Sequence, residues 1–113
     1  MIQVYHNNRC GKSREAVQIL EKSGKEFEII KYLEYPPTFK EIQTLLKKLD
    51  YKPLDLVRTK ESIWIEKFKS KTLSDQDVVN ALAAYPILIE RPIIVNGEKA
   101  IVARPIEKLN DFL

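Results

Sequence analysis

Tyr5-His6-Asn7-Asn8-Arg9-Cys10-Gly11-Lys12-Ser13-Arg14 lies where one hydrophobic period gives way to another. Before it, Ile2-Gln3-Val4-Tyr5 is a short apolar run of strand type. After it, Ala16, Val17, Ile19 and Leu20 recur at helical spacing. The stretch therefore reads as a strand, a tight loop and a helix start. The only cysteine of the chain stands at the join, where the free amides and dipole of a helix N-terminus favour an anion. His6, Arg9, Lys12 and Arg14 crowd the same few residues, and nearby cations lower a thiol pKa from its free value of roughly 8.5 toward or below neutrality. A lone cysteine is commonly a small buried hydrophobe. Such a residue keeps apolar company, whereas this one has His-Asn-Asn-Arg before it and Gly-Lys-Ser after it. The local chemistry points to a reactive thiolate.

Outward from the loop, the periodicity predicts a helix from about Gly11 to Ser23, stopped by Gly24 as C-terminal cap. Phe27 to Leu33 then reads as a strand. Two strands joined by such a helix imply a parallel pair with a right-handed crossover. Pro36-Pro37 interrupts, and Thr38-Phe39-Lys40-Glu41 is a capping box opening a helix through Leu45, Leu46 and Leu49. Asp50 to Pro53 is a break; Leu54, Leu56 and Val57 form one short turn, and Ile63, Trp64, Ile65 and Phe68 an apolar face. Ser74-Asp75-Gln76-Asp77 caps a further helix through Val78, Val79, Leu82 and Ala83, which Pro86 ends. Residues 38–85 read as helical throughout. Ile93-Ile94-Val95 is a strand, Asn96-Gly97 a two-residue hairpin signal, and Ala100 to Ala103 the returning strand. Pro105, in first-turn position, opens a last helix with Ile106, Leu109 and Leu113 on one face. The order is β-α-β, a helical insertion, then β-β-α. That is an α/β chain of thioredoxin or glutaredoxin layout, with a four-stranded mixed sheet, expected as a single domain over 1–113 with its helical insert at about 38–85.

At 113 residues the chain is long enough for a core without staples. No apolar run approaches the roughly 20 residues of a membrane span, and the N-terminus lacks the layout of a secretory signal. One cysteine forms no internal disulfide, which agrees with a reducing compartment; the expectation is a cytoplasmic protein. The net charge of +3 is mild and the lysines are scattered, so neither nucleic acid nor membrane is expected as a partner. With no exposed apolar stripe in the sequence, a monomer is expected.

Arginine usage is the second signal. There are fourteen lysines but only five arginines, at 9, 14, 58, 91 and 104. Arg91 and Arg104 each precede a proline at a strand edge, and Arg58 follows a short apolar turn. Taken singly, each is explained by an ordinary ion pair. Together beside a nucleophilic thiol, their forked donors match a tetrahedral oxyanion. Several other schemes are excluded. A tyrosine-phosphatase-type loop needs arginine six residues after the cysteine, where Ala16 stands. A dithiol oxidoreductase needs a second cysteine at Ser13. One cysteine and one histidine do not make a zinc site. Gly11-Lys12-Ser13 ends like a nucleotide-binding loop, but His6 occupies the place of the earlier glycine. Any redox cycle at Cys10 must be closed by an outside thiol.

Tyr5-His6-Asn7-x-x-Cys10-Gly11-x-Ser13-Arg14, Tyr32-Leu33-x-x-Pro36-Pro37, Leu56-x-Arg58, Pro86-Ile87-Leu88-Ile89-x-Arg91-Pro92-Ile93 and Arg104-Pro105 together resemble the glutaredoxin-coupled bacterial arsenate reductases. The likeness is collinear over essentially the whole chain. It implies that Cys10 attacks the arsenic of arsenate and that Arg58, Arg91 and Arg104 hold the oxyanion and lower the thiol pKa. It also implies that His6 supports the thiolate electrostatically; the alternative for His6 is a loop histidine capping backbone groups. No bound cofactor or metal is implied. Glutathione is the implied reducing co-substrate and glutaredoxin the implied protein partner. A cis Arg91-Pro92 bond is a further implication. Two departures are visible: Asn8 stands where family members often carry proline, and the sequence ends at Leu113 without the extension of some members. The alternative reading is a thiol protein of the related regulatory or uncharacterised branch, with no arsenate activity and acting in thiol redox or partner binding. The regulators' Cys-x-x-Cys is absent here, since Ser13 stands at its second position.

Overall fold

A computed structural model describes residues 1–113 as two compact units, one of residues 1–35 and 91–113, the other of residues 36–90. The second unit interrupts the sequence of the first, slightly wider than the helical stretch the sequence marks out.

In the first unit the sheet order is β2-β1-β3-β4, with β1 at Ile2–Tyr5, β2 at Phe27–Ile30, β3 at Ile93–Asn96 and β4 at Lys99–Val102. β1 pairs in parallel with β2, and antiparallel with β3, which pairs antiparallel with β4. The mixed α/β sheet is the expected one. Helix α1, Gly11–Ser23, is the crossover between β1 and β2, and Gly24 ends it at φ 74°. Ala16 and Leu20 on α1, Ile2 and Val4 on β1, Ile94 on β3, and Ala103 and Leu109 near the C-terminus form one buried cluster. These positions are the helical stripe of α1 and alternate residues of β1, as the two periods require.

Three boundaries differ from expectation. β2 stops at Ile30, because β1 ends opposite it at Tyr5; the chain then turns, with Glu34 and Tyr35 amides both donating to the Lys31 carbonyl, and Tyr32 is fully buried. The hairpin turn is Gly97-Glu98 and not Asn96-Gly97, since Asn96 still pairs with Lys99. Gly97 takes φ 64°, a conformation glycine adopts freely. The last helix, α5, is Lys108–Phe112 in this structure and begins after the Pro105 turn. The Lys108 and Leu109 amides donate to the carbonyls of Pro105 and Ile106, three residues back, so the entry is a tight turn and not an α-helical one. Leu109 is buried and Ile106 and Leu113 pack on the same cluster, the expected face. The Arg91-Pro92 peptide is cis as expected, and so is Arg104-Pro105.

In the second unit α2 is Phe39–Leu49, α3 Ser62–Lys67 and α4 Asp75–Ala84. Both expected capping boxes are present: Thr38 Oγ1 accepts from the Glu41 amide while Glu41 accepts from the Thr38 amide, and Ser74 and Asp77 do the same. α2 packs against α4, burying Ile42, Leu45, Leu46 and Leu49 from one and Val78, Val79 and Leu82 from the other. The unit is not helical throughout. Pro53–Leu56 and Pro86–Leu88 are 3₁₀ turns, and Val57 forms a β-bridge with Ile89. α3 lacks the full apolar face expected of it. Trp64 is buried and stacks on Phe68, whose ring meets Tyr85 edge-on, whereas Ile65 is 48% exposed. Residues one apart do not share a helix face, so Trp64 and Ile65 cannot both point inward. No helix is long and apolar enough to cross a membrane.

Ile94 is fully buried between the two neighbouring strands of the four-stranded sheet. Ile94→Ala is expected to lower unfolding free energy by about 2–5 kcal/mol, the range for removing such a side chain from a packed core. Urea unfolding followed by circular dichroism measures it.

Candidate active site

The register of the sheet explains why residues far apart in sequence meet. Tyr5, the last residue of β1, lies opposite Ile93, the first of β3, and Ile93 lies opposite Val102, the last of β4. The Cys10 loop follows β1, Arg91 precedes β3 and Arg104 follows β4. All three therefore leave the sheet at the same end. The Arg104 side chain crosses this end: its Nε donates to the Arg91 carbonyl at 2.7 Å, and Nη2 approaches Cys10 Sγ at 3.5 Å.

Cys10 is the residue immediately before α1, with extended backbone at φ −94° and ψ 121°. Its own amide donates to the Asn7 carbonyl at 3.0 Å, and its carbonyl accepts the Arg14 amide at 3.0 Å. The loop before it is closed by side-chain oxygens. Asn7 Oδ1 accepts the Arg9 amide at 3.0 Å, and Ser13 Oγ accepts the Asn7 amide at 3.0 Å. Arg14 Nη1 donates to the Asn8 carbonyl at 2.9 Å. Ser13 is fully buried and Asn7 nearly so, two buried polar groups satisfied by each other's neighbourhood.

Burial pushes the Cys10 thiol pKa up, but it is outweighed. The Ser13 amide, the Arg91 charge, the Lys12 amide and the Arg104 charge all favour the thiolate, and the pKa lies below that of an ordinary cysteine. The helix start thus contributes amides to the sulfur and the strand edges contribute guanidinium groups.

His6 is placed differently from a cation facing the sulfur. Its Nδ1 lies 2.6 Å from Ser13 Oγ. Burial, then the charges of Lys31 and Arg14, lower its pKa below 6.5 against an upward pull from the Ser13 hydrogen bond. A neutral imidazole accepting from the Ser13 hydroxyl fits this arrangement, since that oxygen already accepts from Asn7. Arg58 belongs to the second unit. Its amide donates to the Leu88 carbonyl at 2.7 Å, its Nη1 donates to the Ile87 carbonyl at 3.3 Å, and the same Nη1 is 3.3 Å from Glu61 Oε2. No group of three or more His, Cys, Asp or Glu side chains gathers to hold a metal.

The structure brings Cys10, Arg91 and Arg104 to one end of the sheet and places Arg58, expected in the same clamp, in the second unit; the sequence reading overlooked the structural weight of Asn7 and Ser13. The available signal was their type: an asparagine and a serine flanking a tight turn are residues that bond to backbone amides.

With this geometry in view, the likeness to known proteins is specific. Residues 5–112 match the model of the ArsC family. A protein of Neisseria meningitidis serogroup A named arsenate reductase is 35% identical, over 99% of this chain and 97% of its own. YfgD of Escherichia coli K12, an uncharacterised protein, is 37% identical over 99% and 96%. Among solved structures, an arsenate reductase from Vibrio cholerae superposes with a TM-score of 0.94 at 37% identity, covering 99% of this chain and 97% of that one. A family match across nearly every residue, on a fold that repeats theirs, means that the chain belongs to the ArsC family.

Proposed function

We propose that the protein is an arsenate reductase that uses Cys10 as its one nucleophile, with glutathione as reductant and glutaredoxin to complete the cycle. The observation that carries this reading is the buried Cys10 sulfur at the start of α1 with the Arg104 guanidinium 3.5 Å away and its pKa lowered. A thiolate flanked by forked cations attracts a tetrahedral oxyanion and attacks its central atom. The relatives named arsenate reductase support the choice of arsenate.

In the proposed cycle the Cys10 thiolate attacks arsenic(V), an S–As bond forms, and one arsenate oxygen leaves as water after protonation. A glutathione thiolate then attacks the Cys10 sulfur. The S–S bond forms as the S–As bond breaks, the electron pair stays on arsenic, and arsenite leaves as arsenic(III). Glutaredoxin removes the glutathione from the mixed disulfide and returns Cys10 to its thiolate. Two thiols are oxidised for each arsenic reduced. Arg91 and Arg104 hold the equatorial oxygens and stabilise the charge on them. Arg58 serves as a third oxyanion ligand, its guanidinium already oriented by Glu61. His6 acts through Ser13, holding the loop in the geometry that presents the helix amides to the sulfur. The reading takes the protein as a cytoplasmic monomer with no bound cofactor.

Steady-state turnover with arsenate, glutathione, glutaredoxin and its reductase tests the proposal directly. Arsenate-dependent turnover that Cys10→Ser abolishes is expected; brisk thiol reactivity with no arsenate turnover would mark a thiol-redox protein instead. The thiolate is the reactive form, so a lowered pKa places the midpoint of Cys10 alkylation against pH below that of an ordinary cysteine. Arg104→Ala removes a stabilising charge and is expected to move that midpoint to higher pH; an unmoved profile would exclude the guanidinium as a source of the shift. Arg58→Lys keeps charge but loses the fork, and kcat/KM for arsenate is expected to fall about tenfold. Full activity in that variant would show that charge alone suffices.

A further inference from the structure

The cations near Cys10 fall into two sets. Arg91 and Arg104 act on the sulfur through their charge. Arg9 and Lys12, the residues one before and two after Cys10, are not among the charges that lower its pKa. Both are exposed, and what Lys12 contributes to the thiol is its backbone amide. The Arg9 guanidinium makes no hydrogen bond or ion pair, although the Arg9 backbone is held firmly by Asn7 Oδ1. The Lys12 ammonium meets Glu15 at 3.9 Å with both side chains 49% exposed, a pairing of little strength. In a chain with only five arginines, one of them is fixed at its root beside the nucleophile and left unengaged at its head.

We propose that Arg9 and Lys12 form the recognition site for the carboxylates of the small peptide thiol that attacks the Cys10 adduct. The inference rests on the glutathione-dependent step proposed above. At that step Arg91 and Arg104 are occupied by the arsenic-bound oxygens. The incoming thiol is itself an anion with two carboxylates and one ammonium, and it must approach a sulfur that already carries a charged group. It needs cations that neither shift the thiol nor hold the oxyanion, on the exposed side of the same loop. Arg9 and Lys12 meet those conditions, and Glu15 offers an acceptor for the ammonium. A local positive field of this kind raises the encounter rate of an anionic partner and weakens with salt.

The test uses the full chain and needs no arsenic. The Cys10 thiolate attacks one sulfur of oxidised glutathione, forming the Cys10-glutathione mixed disulfide and releasing one glutathione thiolate; hydroxyethyl disulfide undergoes the same exchange without charge. The ratio of the two second-order rate constants, read by mass spectrometry of the protein, reports charge recognition separately from thiol reactivity. In the Arg9→Gln/Lys12→Gln variant the ratio is expected to fall about tenfold, and in Arg9→Glu also to fall, while added salt lowers the wild-type ratio more than that of the double variant. A ratio that stays within about twofold in both variants, or a wild-type protein that does not exchange with oxidised glutathione, overturns the proposal. Arsenate turnover is measured separately. Its absence with the ratio behaving as expected removes the arsenate reading and leaves the thiol-recognition site standing.

Discussion

A sulfur withdrawn from water carries negative charge only where fixed dipoles and nearby cations outweigh the lost hydration. At Cys10 that balance is struck by two amides of the first turn of α1 and two guanidinium groups from the far end of the chain. The amides exist because the chain enters a helix directly after the cysteine, and the guanidinium groups arrive because β3 and β4 end at the same sheet edge as β1. The core of the first unit, Val4 against Ile94 with Ala16 and Leu20 above, keeps those elements in register. A slip of one residue would reverse every side chain in a strand and carry Arg91 or Arg104 away from the sulfur.

The loop that presents the cysteine is built from side chains taking the place of backbone partners. Asn7 and Ser13 each accept an amide that the turn would otherwise leave unpaired, and His6 completes the hydroxyl's bonding. Burying such groups is tolerable because they are satisfied. The lowered His6 pKa belongs to the same design: burial first, and then the charges of Lys31 and Arg14, disfavour a third positive charge here, and the neutral ring serves as a hydrogen-bond acceptor. In the second unit, Arg58 is ordered by Glu61 and by the Ile87 carbonyl. A guanidinium held in this way retains donors on its other edges and loses less freedom on meeting a ligand.

Most elements were legible because their signals are local. Gly24, the Thr38 and Ser74 capping boxes and the β-branched run around Ile94 each act within a few residues, and the structure keeps them where the residues place them. The readings that shifted are those in which a partner elsewhere decides the boundary. Leu33 fails to extend β2 because β1 offers nothing beyond Tyr5, and Asn96 joins the strand because Lys99 pairs with it. Val57 looked helical beside Leu56 but forms a bridge with Ile89, a contact 32 positions away that no local pattern encodes.

The sequence by itself determined the α/β order, the placement of a single cysteine at a helix start, and the few arginines, of which those at 58, 91 and 104 stand at strand edges or after a short turn. These follow from periodicity, capping chemistry and composition, which act along the chain. Only the tertiary structure decided that Arg104 would lie 3.5 Å from Cys10 while Arg9, its neighbour in sequence, would face solvent. The reason is that electrostatic action depends on distance in space, and that distance is set by strand register and loop hydrogen bonds between residues as much as 94 positions apart.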